Sequence, residues 1–215
     1  MIEFHYTDVC GWEAAIRGMR NPLNSWHKAD SVYCEGAVLI GPNDHDLMMR
    51  LANGGPVHAK YRRMITVTVD ITAPLYWWKE FDTYKVGTVA NSCSTMHKIH
   101  DKEFTLDDFS HEHLIKDPNS GLSALLLTID ALNYNRALYL HSGKQDKALW
   151  WNMIQLLPSS YNQRRTVQLN YEVLVSMYRW RKNHKLDEWR DFCSWIETLP
   201  YSELITGGDS DENTL

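Results

Sequence analysis

The segment ITVTVDIT, residues 65–72, alternates strictly between apolar and polar side chains, and it constrains the fold more than any other stretch. The apolar residues that would share one face are Ile65, Val67, Val69 and Ile71. Successive side chains of a β-strand point to opposite faces, so a period of two predicts a strand with one buried face. A strand of this kind needs partner strands and a covering layer, which the rest of the chain must supply.

Other segments carry apolar residues at helical spacing instead. This spacing predicts helices over residues 13–20, 44–53, 121–141, 144–156, 166–181 and 186–199. The residues predicted to form the apolar face of the longest helix are Leu122, Leu125, Leu126, Ile129 and Leu132. Asp44 or Asp46 would stand near the start of the second helix and Gly54 would end it, whereas Pro158 would stop the fourth. The N-terminal half therefore has strand and loop character, and the C-terminal half is helical.

Composition limits the classes of partner. With 215 residues the chain fits one sizeable domain, expected over 1–206, followed by a small acidic tail over 207–215 that we expect to be disordered. The formal charge of −5 argues against a broad surface for duplex nucleic acid or an anionic membrane. No apolar run is long enough to span a bilayer, and no signal-peptide pattern precedes the first helix. Four widely spaced cysteines without a CxxC pair favour reduced thiols and a cytoplasmic location.

Several polar clusters have both a functional and a structural interpretation. The histidines around the sequence HEH could bind a metal, but their spacing matches no ligand pattern, and we expect solvated loop histidines and no metal. They are His97, His100, His111 and His113. Cys93 could act as a nucleophile, yet no neighbour is placed as its base, so a buried or half-buried structural thiol is the favoured interpretation. The basic clusters RRM at 62–64 and QRR at 163–165 could bind phosphate, although solvated surface charge is commoner.

The last polar pattern joins Asn170 to Arg181. Eleven residues are about three helical turns, so on one helix these side chains would share a face about 16 Å apart along the axis. A polar group at each end of a mainly apolar stripe could hold a ligand with an apolar ring and polar ends. The alternative is a core helix whose Asn and Arg cap or pair at its margins.

The order of these motifs resembles the flavin-dependent thymidylate synthases. In that family a helix, a turn and a strand lead to an Arg-Gln pair and then to the signature R-H-R-x-x-S-x-N-E-x-S-x-R-Y. Here LMMRLANGG and MITVTVDITAPLYWW precede Lys79 and Glu80, which stand in place of the pair. The segment TYKVGTVANSCSTMH then stands in place of the signature, if one extra residue near Ala90 is allowed. Asn91 and Ser94 match the signature Asn and its second Ser.

The resemblance continues downstream. The family has a Leu-Pro, an Asn about twelve residues later and an Arg eleven residues after that. In this sequence LLP ends at Pro158, Asn170 follows twelve residues later, and Arg181 follows eleven residues beyond it. The motifs together cover roughly residues 44–196.

The signature is altered at several charged positions. Thr83 and Tyr84 replace its first Arg and its His, and Ser92 replaces its Glu. Met96 and His97 replace its final Arg-Tyr. In addition, Ile154 stands where the family has an Arg shortly before the Leu-Pro. Charge-assisted hydrogen bonds of the kind these groups make contribute about 1.5–3 kcal/mol each, so their absence weakens the implied contacts to flavin and phosphate.

The resemblance implies a fold, a reaction and a set of site residues. The implied fold is α+β, with an antiparallel or mixed sheet flanked by helices. The implied reaction transfers a one-carbon unit to C5 of dUMP, with FAD as cofactor and methylene-tetrahydrofolate and NADPH as further candidate cofactors. The implied assembly is a homotetramer with sites at subunit interfaces. Arg181 is the implied catalytic residue and also a substrate contact. The implied flavin contacts are Tyr84, Lys85, Thr88, Asn91 and Asn170. The other implied substrate contacts are Lys79, Glu80, Ser92 and Ser94.

Three hypotheses stay open from the sequence. The chain is a divergent flavin-dependent pyrimidine-nucleotide methylase, an enzyme on the same scaffold with a changed substrate, or a non-catalytic nucleotide-binding or structural protein that kept the scaffold. The altered signature motivates the last two.

Overall fold

The computed structural model describes residues 1–34 and 37–207. Its fold is α+β, with antiparallel sheet structure flanked by helices, as expected. The first elements are β1 (Glu3–Cys10), α1 (Trp12–Arg20), β2 (Val32–Cys34), β3 (Ala37–Leu39), α2 (Pro42–Asn53), β4 (Thr66–Pro74) and α3 (Leu75–Phe81). The remaining elements are β5 (Val89–Ser92), α4 (Thr95–Lys98), α5 (Gly121–His141), α6 (Lys147–Leu156), β6 (Asn162–Asn170), α7 (Tyr171–Arg181), α8 (Asp187–Glu197) and α9 (Glu203–Thr206).

The strands β1, β4, β6 and β5 form a four-stranded sheet in that order, whereas β2 and β3 pair separately as an antiparallel ribbon. The predicted alternation of β4 is confirmed, because Val67, Val69 and Ile71 are buried and the residues between them are half-buried. The strand extends two residues further than its pattern, to Pro74. The buried face of β4 accounts for the strict period of its sequence.

The chain divides into two compact units. Among the described residues, the first unit comprises 1–3, 71–83 and 91–165, and the second comprises 4–34, 37–70, 84–90 and 166–207. The prediction of one domain over 1–206 stays a prediction. The acidic tail beyond Gly207 lies outside the described residues.

Helices α5 and α6 build the core of the first unit. The buried apolar residues that pack together there are Ile99, Phe104, Phe109, Leu125, Ile129, Leu132 and Met153. The predicted bounds of α5 are confirmed, but Leu126 is 45% exposed and does not belong to its buried face. Helix α6 begins at Lys147, three residues later than predicted, because the Asp146 side chain caps it by accepting from the Ala148 amide at 2.9 Å.

Predictions for the second unit were correct for α1, α2 and α8 within a few residues. Helix α2 begins at Pro42, earlier than either aspartate, since proline is well suited to the first helical position. The prediction of a helix from Thr166 was wrong. Residues up to Asn170 form β6, in which Val167 and Leu169 are buried on one face with period two, and the helix begins only at Tyr171.

Candidate functional site

The residues that the resemblance implies fall in both units. Tyr84, Lys85, Thr88, Asn170 and Arg181 belong to the second unit, whereas Lys79, Glu80, Asn91, Ser92 and Ser94 belong to the first. The two groups are therefore described separately.

Arg181 ends α7 and makes three defined contacts within its unit. Its Nε donates to the Tyr84 hydroxyl at 2.9 Å. Its guanidinium carbon lies 4.5 Å from the centre of the Trp189 ring and 5.5 Å from the centre of the Tyr84 ring. A guanidinium stacked on an aromatic face gains cation–π attraction, which grows as water is excluded. Arg181 is half-buried, so its charge is held in a fixed place beside two aromatic rings.

Asn170 stands at the other end of the same helix as its N-cap. Its Oδ1 accepts from the Val173 amide at 3.0 Å, which satisfies one of the open donors of the first turn. Asn170 and Arg181 therefore do lie at opposite ends of one helix, and the capping role that the sequence left open is realised for Asn170. Because Oδ1 already accepts a hydrogen bond, the side-chain Nδ2 is the atom of Asn170 that is suited to donate to a ligand.

The segment Tyr84–Ala90 lies along α7 and contacts a residue at each end of that helix. Tyr84 contacts Arg181, and three residues later Gly87 approaches Asn170 so closely that a β-carbon would lie 2.9 Å from the asparagine Nδ2. Gly87 has φ +80°, a conformation that side chains with a β-carbon rarely adopt. Within the segment, the Thr88 hydroxyl donates to the Tyr84 carbonyl oxygen, while Lys85 is exposed. Tyr84, Thr88, Asn170 and Arg181 are thus brought together along one helix.

The other implied residues belong to α3, β5 and the start of α4 in the first unit. Lys79 is exposed and Glu80 half-buried on α3, and the Glu80 carbonyl accepts from the Thr83 hydroxyl at 2.7 Å. Asn91 and Ser92 are exposed on β5.

Ser94 caps α4 by accepting from the His97 amide at 3.2 Å, and it lines a cavity of about 310 Å³ in the first unit. Cys93 lines the same cavity. The expectation of a buried or half-buried Cys93 was wrong, because its thiol is exposed on a backbone that β6 holds. The Cys93 amide donates to the Arg164 carbonyl at 2.9 Å, and Gln163 donates to the Cys93 carbonyl at 2.9 Å. Lysines on the rim, Lys98 and Lys102, are each ion-paired to an aspartate.

A larger cavity, of about 1150 Å³, lies in the second unit, and no sequence motif pointed to it. Its positively charged and histidine lining residues are Arg20, His27, Lys28, Arg50, His58 and Lys60. Asp46 is the one acidic residue in that lining, and it pairs with Arg50 at 3.0 Å. Apolar side chains such as Leu47 and Met64 complete the wall. The charges come from α1, from the segment between α1 and α2, from α2 and from the segment that follows α2, so no single stretch of sequence reveals the cluster.

Two of the basic clusters are more buried than expected. Arg62 is 4% exposed and lies 3.9 Å from Glu172, so the prediction of solvated charge is wrong for this residue. Arg165 stacks over Trp78 at 4.2 Å and pairs with Asp82 at 2.8 Å, whereas Arg164 is exposed. Arg62 and Arg165 have structural partners for their charge.

The histidines behave differently from one another. His97 and His113 are exposed, but His100 is buried, so the expectation of a solvated loop is wrong for His100. Burial, together with the charge of Lys144, holds the pKa of His100 below its usual value.

Across residues 1–34 and 37–207, no group of three or more His, Cys, Asp or Glu side chains is placed to hold a metal ion. In the same ranges no helix is both long and apolar enough to cross a membrane.

The fold is that of the flavin-dependent thymidylate synthases. Thymidylate synthase X from Helicobacter pylori, crystallised with FAD and dUMP, is similar with a TM-score of 0.68 at 15% identity, over 97% of this chain and 99% of that one. A second structure of that enzyme with FAD and dUMP gives 0.64 at 15% identity, over 93% and 96%. The UMP/dUMP methylase PolB from Streptomyces cacaoi, bound with 5-Br dUMP, gives 0.63 at 13% identity, over 96% and 94%. No protein-family model and no curated protein matches the sequence.

Proposed function

We propose that this protein is a flavin-dependent enzyme that transfers a one-carbon unit to C5 of dUMP or of a related pyrimidine nucleotide. The observation that carries the proposal is the shared fold, which extends over almost the full length of proteins crystallised with dUMP or its 5-bromo analogue. A fold can host several functions, so the residues must support the chemistry separately.

Arg181 supplies the electrostatic part of the proposed reaction. C5 of a uracil ring gives an electron pair to the incoming one-carbon unit, a step that is favoured when negative charge is held on a ring carbonyl, and the C5 proton then leaves to solvent. A guanidinium fixed beside the ring stabilises that charge without having to reorganise. The stacking of Arg181 on Trp189 and its hydrogen bond to Tyr84 provide this fixed geometry.

Residues of the second unit also fit the charge of a flavin dinucleotide. A bound flavin, once reduced by NADPH, would supply the two electrons that convert the transferred carbon into a methyl group. The cavity of about 1150 Å³ carries Lys28 and Lys60 without an ion-pair partner among the described residues, and such cations suit phosphate groups. We propose further polar contacts to the flavin in the segment Tyr84–Ala90 and at the start of α7. They are Lys85, Thr88 and the Asn170 amide.

The remaining assignments belong to the same proposal. Tyr84 and Asn91 are proposed flavin contacts, and Lys79, Glu80, Ser92 and Ser94 are proposed nucleotide contacts. Methylene-tetrahydrofolate as carbon donor, NADPH as reductant, a homotetramer and a cytoplasmic location complete it. The donor, the reductant and the homotetramer follow from the resemblance, whereas the location follows from the cysteine pattern, and each is separately testable.

A second candidate function is nucleotide binding without catalysis. Ile154 favours it, because this side chain stands where the related family has an arginine and packs against the apolar core of the first unit. A core-facing isoleucine cannot contribute a charge to a phosphate.

The decisive experiment measures release of tritium from dUMP labelled at C5. Purified protein is incubated with FAD, methylene-tetrahydrofolate and NADPH, and substitution at C5 must release the label to water. We expect release that depends on all added components. Binding of dUMP in calorimetry without any release would favour the second candidate, and absence of both binding and release would refute both.

Arg181→Ala tests the proposed catalytic residue. We expect tritium release to fall at least a hundredfold, because a preorganised donor to developing charge contributes about 2.7–4 kcal/mol. The matched control is Arg179→Ala, two residues earlier on α7, where the side chain is exposed and lies 5.7 Å from the Trp180 ring. Equal activity of the two variants would show that Arg181 has no special role.

A further inference from the structure

We propose that Tyr84 and Trp189 are positioning residues that fix the Arg181 guanidinium for the pyrimidine nucleotide, an inference that rests on the proposed function. The Tyr84 hydroxyl accepts from Arg181 Nε at 2.9 Å, and the Trp189 ring lies 4.5 Å beneath the guanidinium carbon. One contact is a hydrogen bond from Nε, and the other places the guanidinium carbon over the Trp189 ring. Two contacts in different directions restrain the group more tightly than either contact alone.

This restraint has a clear physical value. A free arginine side chain loses about 2 kcal/mol of rotamer entropy when it is immobilised. If the protein imposes that loss during folding, the nucleotide does not have to impose it on binding, and affinity improves accordingly. The planar fork then presents its terminal nitrogens in one orientation, which matters for recognition of a flat ring.

Both positioning residues are themselves held in place. Trp189 is fully buried, and Phe192 meets it edge-on with ring centres 5.6 Å apart. Tyr84 meets the same indole ring at 6.0 Å and 63°, and its carbonyl accepts from the Thr88 hydroxyl. Tyr84 would otherwise begin an irregular segment, so these contacts give it the stability that a positioning residue needs. In the related family this position of the signature is a histidine, and here the tyrosine hydroxyl accepts from Arg181.

The first test is a double-mutant cycle on dUMP affinity, measured by calorimetry with the full chain. Tyr84→Phe removes only the hydroxyl, and we expect the dissociation constant for dUMP to rise about tenfold, equivalent to about 1.4 kcal/mol. The same change added to Arg181→Ala should have no further effect, because the hydroxyl acts through the arginine. Additive losses would show that Tyr84 contacts the ligand itself and would overturn the positioning role.

Tyr178→Phe is the matched control for loss of a hydroxyl. Tyr178 lies on α7, the helix that ends at Arg181, and its hydroxyl donates to Glu197 Oε1 at 2.7 Å. We expect similar small changes in melting temperature for both tyrosine variants, but weaker dUMP binding only for Tyr84→Phe. Equal dUMP affinity in the two variants would overturn the inference while leaving the proposed function intact. In the active enzyme, Tyr84→Phe should lower kcat as well as raise KM, because the guanidinium acts on developing charge.

A second measurement needs no ligand. The NMR spectrum of the arginine Nε–H groups contains one signal from Arg181. That signal is assigned as the one that is missing from the spectrum of the Arg181→Lys variant. We expect it to be shifted by the ring current of Trp189 in the native protein and to move toward the free-arginine position in Tyr84→Phe. Trp189→Phe should also remove much of the ring-current shift. If the native protein fails to bind dUMP in calorimetry, the proposed function is refuted. If the Arg181 Nε–H signal of the native protein shows no ring-current shift, the restraint on Arg181 is refuted, whatever the result of the binding experiment.

Discussion

Gly87 illustrates how one residue can determine the path of a segment. A β-carbon at this position would lie 2.9 Å from Asn170 Nδ2, and the backbone has φ +80°. Alanine would therefore meet two penalties, one from the backbone conformation and one from the asparagine that caps α7.

We predict that Gly87→Ala lowers the free energy of unfolding by about 2 kcal/mol, since backbone strain at positive φ and partial loss of a helix cap each cost about 1 kcal/mol. Gly55→Ala is the matched control, because Gly55 has φ +89° but nothing lies within 4 Å of the added carbon. Urea denaturation of both variants measures the difference. Equal losses would mean that the contact with Asn170 contributes nothing to stability.

Cys193 differs from the other three cysteines in its surroundings. Cys10, Cys34 and Cys93 are exposed, whereas Cys193 is buried, and burial with the nearby charge of Glu197 raises its pKa to about 12. The thiolate is the reactive form of cysteine. We predict that a water-soluble disulfide reagent modifies three thiols in the native protein and the fourth only after unfolding. Rapid modification of all four in the absence of denaturant would contradict the burial of Cys193.

At the scale of elements, α1 and α2 are joined by a buried ion pair. Arg20 and Asp44 are 4% and 0% exposed, and Arg20 Nε donates to Asp44 Oδ1 at 2.6 Å. The other carboxylate oxygen, Oδ2, accepts from the backbone amides of Asp30 and Ser31 and from the Ser31 hydroxyl. A single carboxylate thus connects two helices and the loop that joins them.

This pair predicts a specific response to acid. Burial alone would raise the pKa of Asp44, but the hydrogen bonds from Ser31, Arg20 and the backbone outweigh it, so the pKa lies below its ordinary value. A carboxyl with a depressed folded-state pKa stabilises the protein above its unfolded pKa of about 3.9, and that stability disappears as the pH falls through the folded value.

We predict that Asp44→Asn destabilises the protein by about 3 kcal/mol at neutral pH, because it leaves a buried arginine unpaired. The difference from the native protein should begin to shrink below about pH 4, where Asp44 of the unfolded chain takes up a proton, and it should go on shrinking as the pH falls through the lower folded-state pKa. Asp46→Asn is the control, since its pair with Arg50 is exposed and such pairs contribute about 0–1 kcal/mol. Thermal unfolding between pH 3 and pH 7 measures both variants, and a pH-independent difference for Asp44→Asn would exclude the proposed linkage.

The predictability of each element depended on whether its pattern was local. Strand β4 and helix α5 carry a clear period, and both were placed well. Strand β6 was missed because Gln163 takes an inward position that would usually be apolar, so Val167 and Leu169 alone could not reveal period two. Arg181 and Asn170 were identified from spacing and resemblance, but the contacts of Tyr84 and Gly87 with α7 join residues about 80 to 100 positions apart. Such long-range contacts, like the cations of the large cavity, leave no periodic trace in the sequence.

At the scale of the whole molecule, the division into two units does not follow the chain. Each strand of the four-stranded sheet contains residues of both units: β1 divides after Glu3, β4 after Asp70, β5 after Ala90 and β6 after Arg165. No single cut of the chain would therefore separate the units.

We predict one cooperative unfolding transition, because every strand of the four-stranded sheet continues from one unit into the other. Far-ultraviolet circular dichroism reports the helices, and tryptophan fluorescence reports the aromatic cores. The two urea curves should coincide in midpoint and slope. Two separated transitions would show that each unit melts alone, contrary to this expectation.

The close approach of the segment Tyr84–Ala90 to α7 has a consequence for protein engineering. Tyr84 with Arg181, and Gly87 with Asn170, form two coupled pairs whose members lie far apart in the sequence. Saturation libraries that vary one position at a time would score most changes at these sites as harmful, because each new side chain meets an unchanged partner. Libraries that randomise both members of a pair together would sample the compensating combinations, and they are the better design for altering this part of the molecule.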